Sequence, residues 1–297
     1  MTSIGRWHRM LIDKSQSDTR LMQCLRTVSY SSRRRYILPI YSKPNHTMSS
    51  TRALALITGA NQGIGLATAR QLASTGKYHV LVTARSLANA EAAVRELQTT
   101  AADPTALTPI AIDVTDDVSI AAAVESVSSQ FGHLDILINN AGIGRPEPPQ
   151  VSIRKAFRQV FEVNVFGAMA VTDAFLPLLR ASSYHDRRIV NVTSGLGLIS
   201  MAGKEGYAFN ANAWYAPDYR SSKAALNMVT AAMSVKLKQE GIAVVAAAPG
   251  MCRTKFTGGQ GRKDASDGAR VVVRAATEGA GEEVNGTYVS DEPHDGW

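Results

Sequence analysis

A tyrosine and a lysine stand four positions apart in the stretch AWYAPDYRSSKAAL, residues 213–226. On a helix, Tyr219 and Lys223 would project from the same face. A phenol has a pKa of about 10 and is a poor acid–base catalyst at neutral pH, but a nearby ammonium stabilises the phenolate and lowers that pKa. The pair is therefore a candidate for proton transfer at a substrate oxygen. Because YxxxK also occurs by chance, ordinary packing of both residues is the alternative.

Two polar side chains occur where such a catalyst needs neighbours. Ser194 ends the predicted strand RIVNVTS, residues 188–194, and a hydroxyl there is placed to donate to a substrate carbonyl oxygen. Thr193 should point to the opposite face, because side chains alternate along a strand. Asn164 lies on an otherwise apolar face of a predicted helix, so its amide needs a polar partner. A satisfied buried amide with no catalytic role is the alternative for Asn164.

A glycine-rich turn connects the first predicted strand to a helix. The sequence TGANQGIG, residues 58–65, spaces Gly59, Gly63 and Gly65 as GxxxGxG. Glycine permits a positive φ and lets backbone N–H groups approach a pyrophosphate with no Cβ in the way. The helix that follows points its N-terminal dipole and free N–H groups at the same anion. Although tight turns need glycine for other reasons, the position between a strand and a helix predicts a dinucleotide site.

Two charged residues follow the next two strands. A dinucleotide that lies across the sheet places its adenosine ribose near the end of the second strand, where the sequence TARS puts Arg85. An acidic residue there would select NAD, whereas Arg85 favours the 2′-phosphate of NADP; a solvated surface arginine is the alternative. Asp113 and Val114 end the third strand, where the Asp side chain and a backbone group can hold the adenine amino group. Capping of the helix that begins at residue 116 is the alternative for Asp113.

These residues require a sheet whose strands end on one side, and the chain alternates between short apolar runs and Ala-rich amphipathic segments. The runs are rich in Val, Ile, Leu and Ala, as in strands buried on both faces of a parallel sheet. The predicted strands are residues 53–59, 79–85, 107–114, 134–140, 188–194, 243–249 and 286–290. The predicted helices are residues 64–75, 87–98, 116–130, 153–180, 219–240 and 267–277. The alternation predicts the α/β class: a Rossmann-type doubly wound, mainly parallel seven-stranded sheet flanked by helices, in a single domain.

The net charge of +7 is concentrated in the first 47 residues. That segment holds nine Lys and Arg residues against two Asp, so its net charge is also +7, and residues 48–297 are neutral. A neutral body argues against a nucleic-acid partner. We expect no membrane partner either, because no apolar run approaches the roughly 18 residues that span a bilayer. The two cysteines and six scattered histidines predict no disulfide framework and no metal site.

The basic segment, residues 1–47, is rich in Arg and Ser, a composition typical of a mitochondrial transit peptide. Disorder, or translation that starts at Met48 directly before the first strand, is the alternative. We therefore predict a tail over residues 1–47 and an NADP-binding catalytic domain over residues 48–297. The expected location is cytoplasmic, or mitochondrial if the tail is a transit peptide.

Together, the motifs of the body resemble those of the classical short-chain dehydrogenase/reductases. They occur in that family's order: TGxxxGxG at 58–65, NNAG at 139–142, Asn164, Ser194, YxxxK at 219–223, and Pro249–Gly250 followed by Thr254. Each motif is weak alone, but the set is specific. The last residues, NGTYVSDEPHDGW, resemble the C-terminus of the carbonyl-reductase branch, so the resemblance covers residues 48–297.

The resemblance implies hydride transfer between NADP and a carbonyl or alcohol. Tyr219 would give a proton to the carbonyl oxygen or take one from the alcohol, and Lys223 would lower the pKa of Tyr219 and hold the nicotinamide ribose. Ser194 would orient the substrate oxygen, and Asn164 would hold a water that links Lys223 to solvent. The implied cofactor contacts are Gly59, Asn61, Gly63, Ile64, Gly65, Arg85, Asp113, Val114, Asn140, Tyr219, Lys223, Met251 and Thr254.

The predicted activity is NADP-dependent reduction of a small-molecule aldehyde, ketone or quinone to an alcohol, or the reverse reaction. Two alternatives are a dinucleotide-binding regulator without turnover and a non-redox isomerase or lyase on the same scaffold. Monomer and homo-oligomer are both open. The stretch from Ser194 to Tyr219 is longer than in most members of the family and lies near the helix through which many of them dimerise.

The residues around the predicted site carry four further interpretations. Asn139 and Asn140 are interpreted as braces of the sheet centre, in addition to the cofactor contact of Asn140. Tyr215 has no lysine four positions later and is interpreted as a substrate-side wall or a packing residue. Cys252 is interpreted as a packing residue, because no base is evident beside it. The segment after Thr254 is polar and Gly-rich and offers little apolar material for a large substrate lid.

Overall fold

Short parallel strands form the centre of the computed structural model, which describes residues 52–144, 152–206 and 215–294. In chain order its strands are β1 (Ala53–Ile57), β2 (Tyr78–Ala84), β3 (Leu107–Ala111), β4 (Ile136–Asn139), β5 (Arg187–Val192), β6 (Ile242–Ala248), β7 (Cys252–Arg253), β8 (Lys263–Asp264) and β9 (Tyr288–Ser290). Seven of them form one parallel sheet in the order β3-β2-β1-β4-β5-β6-β9, and β7 pairs with β8. The predicted fold class is thus confirmed. The predicted tail, residues 1–47, lies outside the described residues.

Helices connect the strands and cover both faces of the sheet. They are α1 (Gly63–Ser74), α2 (Leu87–Gln98), α3 (Asp117–Phe131), α4 (Ile153–Phe161), α5 (Ala168–Ala181), α6 (Ile199–Ala202), α7 (Pro217–Leu237), α8 (Ala265–Thr277) and α9 (Gly281–Val284). The predicted helices agree with the longer of these to within a few residues. The elements α6, α9 and the β7–β8 pair are absent from the predicted set, because two to four residues are too few to show a period.

Two apolar cores lie on the two faces of the sheet, and alternate residues of each strand enter each core. In β1, Ala55 and Ile57 belong to one core, whereas Leu54 and Leu56 belong to the other. All five residues of this strand are buried. Burial on both faces explains why the strands read as continuous apolar runs and not as alternating ones.

The order of the strands reverses beside β1. From β1, strands β2 and β3 extend the sheet to one side, whereas β4, β5 and β6 extend it to the other. In a sheet of this kind, ligands bind in the crevice outside the carboxyl ends of the strands at the reversal. Thr58 directly follows β1, Asn140 directly follows β4, and Ser194 comes two residues after β5. The residues with candidate chemistry therefore lie along this edge of the sheet.

The helical segment before β5 runs from Ile153 to Ala181 and contains a π-helical turn at Glu162–Gly167. By length and composition alone it could cross a membrane, with a mean hydropathy of 1.3 in its most apolar window. More than half of that window, 56%, is buried inside the protein, where Phe175 and Leu179 pack in the core. Packing in the core therefore explains the length and apolar composition of this helical segment. Its π turn holds Asn164, and such turns occur often at functional sites.

Candidate active site

Thr58 ties the end of β1 to the end of β4. Its hydroxyl oxygen accepts hydrogen bonds from the backbone N–H groups of Asn140 and Ala141, each at 2.9 Å. In return the Asn140 amide donates to the carbonyl oxygens of Thr58 (2.8 Å) and Gly59 (3.1 Å). Asn140 therefore holds the glycine-rich turn in place, as predicted for a brace. Asn139 is a brace as well, since its amide donates to side chains on α5 and β5.

The glycine-rich turn has the backbone geometry that glycine permits. Gly59 and Gly63 have φ angles of +62° and +57°, in the left-handed region. A Cβ on Gly65 would lie 2.4 Å from both the Asn140 amide nitrogen and the Gly59 carbonyl oxygen, so this glycine lets α1 approach the strand ends. Gln62 makes no side-chain capping bond at the start of α1. The first N–H groups of α1 are therefore available to an anion.

The other implied contacts of this turn differ in their surroundings. Asn61 is partly exposed beside the start of α1. Ile64 is partly buried and packs its side chain against the apolar core. Ile64 is therefore placed to contribute a backbone N–H group to a bound phosphate, whereas its side chain stabilises the fold.

Arg85 and Asp113 lie near each other beyond the ends of β2 and β3. Arg85 is exposed. Hydrogen bonds from Thr115 lower the pKa of the Asp113 carboxyl, and the positive charge of Arg85 lowers it further. The alternative in which Asp113 caps the next helix is wrong, because Asp116 caps α3 by accepting from the Val118 N–H at 3.0 Å.

Val114 and Gly167 meet where the third strand leaves the sheet. A Cβ on Gly167 would lie 2.7 Å from the Val114 carbonyl oxygen. This close approach packs the π turn of Glu162–Gly167 against the end of β3. The backbone of Val114 is thereby held in place beside the edge where the site lies.

Tyr219, Ser194 and Lys223 come together at the carboxyl end of β5. The Ser194 hydroxyl lies close enough to the Tyr219 phenol to lower its pKa, and it accepts from the Leu196 N–H at 3.2 Å. Lys223, one turn further along α7, donates to the Val192 carbonyl oxygen at 2.8 Å, and its Nζ lies 5.7 Å from the centre of the Tyr219 ring. A Cβ on Gly197 would lie 2.7 Å from the Lys223 backbone, so the turn after Ser194 packs directly on α7.

Loss of solvation is the main cause of the pKa shifts of Tyr219 and Lys223. It raises the pKa of Tyr219 to about 12, against a smaller lowering by the hydrogen bond with Ser194. It lowers the pKa of Lys223 to about 8. The predicted lowering of the Tyr219 pKa by Lys223 is therefore not found in this arrangement of the protein alone: loss of solvation raises this pKa, and the effect that lowers it comes from Ser194.

Asn164 is fully satisfied and also joined to the catalytic helix. Its amide oxygen accepts from the Ile143 N–H at 2.8 Å, and its amide nitrogen donates to the Ile143 carbonyl oxygen at 2.9 Å. The same nitrogen donates to the Ser222 hydroxyl at 3.1 Å, and Ser222 donates to the Tyr219 carbonyl oxygen at 2.7 Å. Gly142 leaves the space between Asn164 and Lys223 open: a Cβ there would lie 3.3 Å from the Asn164 oxygen and 3.7 Å from Lys223 Nζ.

Thr193 points away from this group, as alternation along the strand predicts. Its hydroxyl donates to the Asn227 amide oxygen at 2.6 Å. In the same layer Asn191 donates to the Thr230 hydroxyl at 2.8 Å. These buried bonds fasten α7 to β5, and so they fix Tyr219 and Lys223 relative to Ser194.

The segment after β6 returns to the glycine-rich turn. Thr254 Cγ2 lies 3.4 Å from where a Cβ on Gly63 would be, so the two loops are in contact. Met251 is partly buried at the start of this segment. Cys252 is buried, its thiol donates weakly to the Pro249 carbonyl oxygen, and burial raises its pKa. An inert packing role for Cys252 agrees with these surroundings.

The arrangement joins a glycine-rich turn between a strand and a helix to a half-buried tyrosine and a buried lysine, and the comparison with known proteins follows. The family model for short chain dehydrogenases matches residues 53–265. The chain belongs to the short-chain dehydrogenase/reductase family.

Individual relatives of this dehydrogenase/reductase cover most of its body. A short-chain dehydrogenase of Penicillium roqueforti is 57% identical over 242 residues, which are 82% of this chain and 95% of the relative. An NADP-dependent 3-hydroxy acid dehydrogenase of Schizosaccharomyces pombe is 32% identical over 68% of this chain and 72% of its own. Among solved structures, NADPH-bound carbonyl reductase from chicken fatty liver is 29% identical, covers 80% of this chain and 96% of that chain, and has a TM-score of 0.68.

Phe256 is a site residue of this dehydrogenase/reductase that the sequence interpretation missed. Its ring lies 5.6 Å from the Tyr219 ring, centre to centre, at an interplanar angle of 58°. The only signal was a single aromatic residue in a polar, Gly-rich segment, which carries no period and no motif.

The wall of the site between Ser194 and Tyr219 is described in part. Tyr215 is 61% exposed and lies close enough to Tyr219 to raise its pKa slightly. This position agrees with a substrate-side wall more than with packing. Residues 207–214 lie outside the described residues, and Tyr207 is among them. Within the described residues, His, Cys, Asp and Glu side chains form no group that could hold a metal ion.

Proposed function

We propose that the protein is an NADP-dependent oxidoreductase that reduces the carbonyl group of an aldehyde, ketone or quinone to an alcohol, or catalyses the reverse reaction. The observation that carries the proposal is the half-buried Tyr219, whose phenol has lost solvation. Ser194, at the carboxyl end of a central strand, lies close enough to lower the pKa of this phenol, and Lys223 lies one helical turn away. An acid, an orienting hydroxyl and a cation beside a dinucleotide-type turn are the parts that carbonyl reduction requires.

The proposed reduction adds a hydride and a proton to the carbonyl group, and the cofactor and the protein each supply one of them. NADPH, when bound, supplies hydride to the carbonyl carbon. Tyr219 gives its phenolic proton to the carbonyl oxygen as the C=O double bond becomes a single bond. Ser194 donates a hydrogen bond to the same oxygen and stabilises the charge that develops there. Because its pKa is about 12, Tyr219 holds this proton at neutral pH.

Lys223 and Asn164 are proposed to restore the proton and to hold the site together. Lys223, with a pKa of about 8, remains largely an ammonium at neutral pH and can pass a proton toward the phenolate. The Asn164 amide oxygen and Lys223 Nζ both lie beside Gly142, and a water held by Asn164 would link Lys223 to solvent. The same ammonium would hold the nicotinamide ribose.

The residues present fit a dinucleotide with a 2′-phosphate. The uncapped first turn of α1 and the left-handed Gly59 and Gly63 suit a pyrophosphate. Exposed Arg85, beyond the end of β2, suits the 2′-phosphate, because a guanidinium binds phosphate well. The names of two relatives support the same choice, since one is an NADP-dependent dehydrogenase and the other is a carbonyl reductase solved with NADPH.

Replacement of Tyr219 by phenylalanine tests the proposal. The variant should lose about 100- to 10,000-fold in NADPH-linked carbonyl reduction, the usual contribution of general acid catalysis. NADPH affinity, measured by quenching of protein fluorescence, should change little. Tyr184→Phe, which removes a phenolic hydroxyl next to Asp186 and away from the site, is the matched control and should remain active. Full activity of Tyr219→Phe would contradict the proposed function.

A further inference from the structure

Phe256 occupies an exposed position over the candidate catalytic tyrosine. Its ring contacts the Tyr219 ring on one side. On another side its Cζ lies 3.5 Å from where a Cβ on Gly144 would be. Even so, 51% of the residue is exposed. One part of the ring is therefore fixed against the site, and the rest faces open space beside it.

The backbone that carries Phe256 is held by an unusual number of bonds for a Gly-rich loop. Across the single 3₁₀ turn that contains Phe256, Lys255–Thr257, the Thr254 N–H donates to the Thr257 hydroxyl and the Thr257 N–H donates to the Thr254 carbonyl oxygen, each at 3.2 Å. The Thr257 hydroxyl also donates to the Cys252 carbonyl oxygen at 2.7 Å, and Gly259 N–H donates to the Thr254 carbonyl oxygen at 2.8 Å. The ring therefore projects from an anchored turn.

Two further contacts fix that turn relative to the rest of the site. Its base is closed by the β7–β8 pair and by the ion pair of Arg253 with Asp264. Its other side meets the glycine-rich turn through Thr254 and Gly63. The position of Phe256 is thus set by the same elements that would hold the cofactor.

The two candidate reacting groups, Tyr219 and Lys223, have both lost solvation. The aromatic rings of Phe256 and, beyond it, Tyr215 offer flat surfaces to a substrate whose carbonyl oxygen reaches Tyr219 and Ser194. Aromatic rings bind other planar π systems more favourably than their contact area alone predicts.

We propose that Phe256 selects the substrate by stacking against it, so that the site prefers planar carbonyl compounds conjugated to an aromatic ring over saturated ones. This inference rests on the proposed function, because it places the carbonyl at Tyr219 and Ser194. It adds the class of substrate and the residue that recognises it. It also gives a substrate-binding residue to the segment after Thr254, which was expected to offer little apolar material for a large substrate lid.

A pair of ketones of similar shape tests the inference. Phenyl methyl ketone and cyclohexyl methyl ketone differ in planarity and π character but carry the same reacting group. The wild-type enzyme should favour the phenyl compound in kcat/KM by about three- to tenfold, the range expected for one aromatic contact. Phe256→Leu should lower kcat/KM for the phenyl ketone by that factor, mostly through KM, and should change the value for the cyclohexyl ketone by less than about twofold. Phe256→Tyr should keep the preference.

The outcomes separate this inference from the function on which it rests. If Phe256→Leu lowers kcat/KM for both ketones equally, Phe256 only supports the fold of the site, and the inference is overturned while carbonyl reduction stands. If neither ketone is reduced, calorimetric binding of the two ketones to the NADP-loaded protein gives the same comparison without turnover. Equal affinities in wild type, or a preference that persists in Phe256→Leu, would overturn it. Loss of the affinity difference in that variant would support it.

Discussion

Lys223 should destabilise the fold at neutral pH, and its replacement by methionine should reveal this cost. The side chain is 4% exposed, and burial lowers its pKa from 10.5 to about 8. The unfolded chain therefore binds this proton more tightly than the folded chain, so stability rises as the pH rises from about 8 to about 10.5. The cost of keeping the ammonium buried is about 3 kcal/mol at pH 7 and about 1 kcal/mol at pH 9.5.

The methionine variant also loses one hydrogen bond. The Val192 carbonyl oxygen accepts from Lys223 Nζ at 2.8 Å, and its loss costs about 1–2 kcal/mol at any pH. Relative to wild type, Lys223→Met should therefore be about 1–2 kcal/mol more stable at pH 7 and no more stable at pH 9.5. The stability of Lys223→Met relative to wild type should therefore change by about 2 kcal/mol between the two pH values. This change is the decisive quantity, because the cost of the lost hydrogen bond is the same at both pH values and cancels.

Urea unfolding of the protein without cofactor, followed by circular dichroism at both pH values, measures this change. Other titrating groups, such as Tyr219 and Cys252, are common to wild type and variant and cancel in the difference. Lys236→Met is the matched control, since Lys236 is exposed on the same helix and should show no pH-dependent gain. A stability difference for Lys223→Met that is equal at both pH values, within about 0.5 kcal/mol, would refute the reasoning. The variant should also lose reductase activity, as stabilising changes at functional residues often do.

Four other outcomes are expected. Arg85→Ala should raise the KM for NADPH by about 10- to 100-fold in steady-state assays and leave the KM for NADH nearly unchanged. An equal rise in both KM values would show that Arg85 does not recognise the 2′-phosphate. Thr58→Val should lower the free energy of unfolding by about 2 kcal/mol or more, because two backbone N–H groups lose their acceptor. Thr68→Val is the control and should not destabilise the protein, because the buried Thr68 hydroxyl has no hydrogen-bond partner among the described residues. With saturating NADP, kcat/KM for alcohol oxidation should rise about tenfold per pH unit between pH 7 and 9, since phenolate is the base and the pKa of Tyr219 is about 12; a plateau within that range would show that the bound cofactor governs this pKa. N-terminal sequencing of the native protein separates the alternatives for residues 1–47, since a start at Met1 would contradict translation from Met48.

The parallel sheet and the edge that carries the site could be predicted from the sequence because both depend on local pattern. Strands buried on both faces give continuous apolar runs, and the residues that break each run lie at its carboxyl end. Ser194 is predicted in this way, whereas Asn140 is implied by the resemblance of NNAG, residues 139–142, to a family motif. Their convergence then follows from the parallel arrangement, which brings the carboxyl ends of the strands to one edge.

Other features depend on contacts that the sequence does not display. The π turn at Asn164 follows from tertiary packing, including the approach of Gly167 to Val114, and a one-residue change of helical period is invisible in a run of apolar residues. Phe256 reaches Tyr219 only because the loop folds back through the β7–β8 pair. The pKa of Tyr219 is a balance between burial and nearby charge, and spacing along a helix reports the charge but not the burial.

The opposite pKa shifts of Tyr219 and Lys223 give the site a direction for proton delivery. At neutral pH the phenol, with its pKa of about 12, and the ammonium, with its pKa of about 8, are both mainly protonated. Transfer of a proton from Lys223 to a Tyr219 phenolate would therefore be strongly favourable, and Lys223 would be the easier group to recharge from solvent at this pH. A site in which Lys223 lowered the pKa of Tyr219 to near neutrality would instead keep a base ready for alcohol oxidation. Burial thus keeps Tyr219 protonated at the start of each cycle, and a protonated Tyr219 is the form that the proposed carbonyl reduction uses.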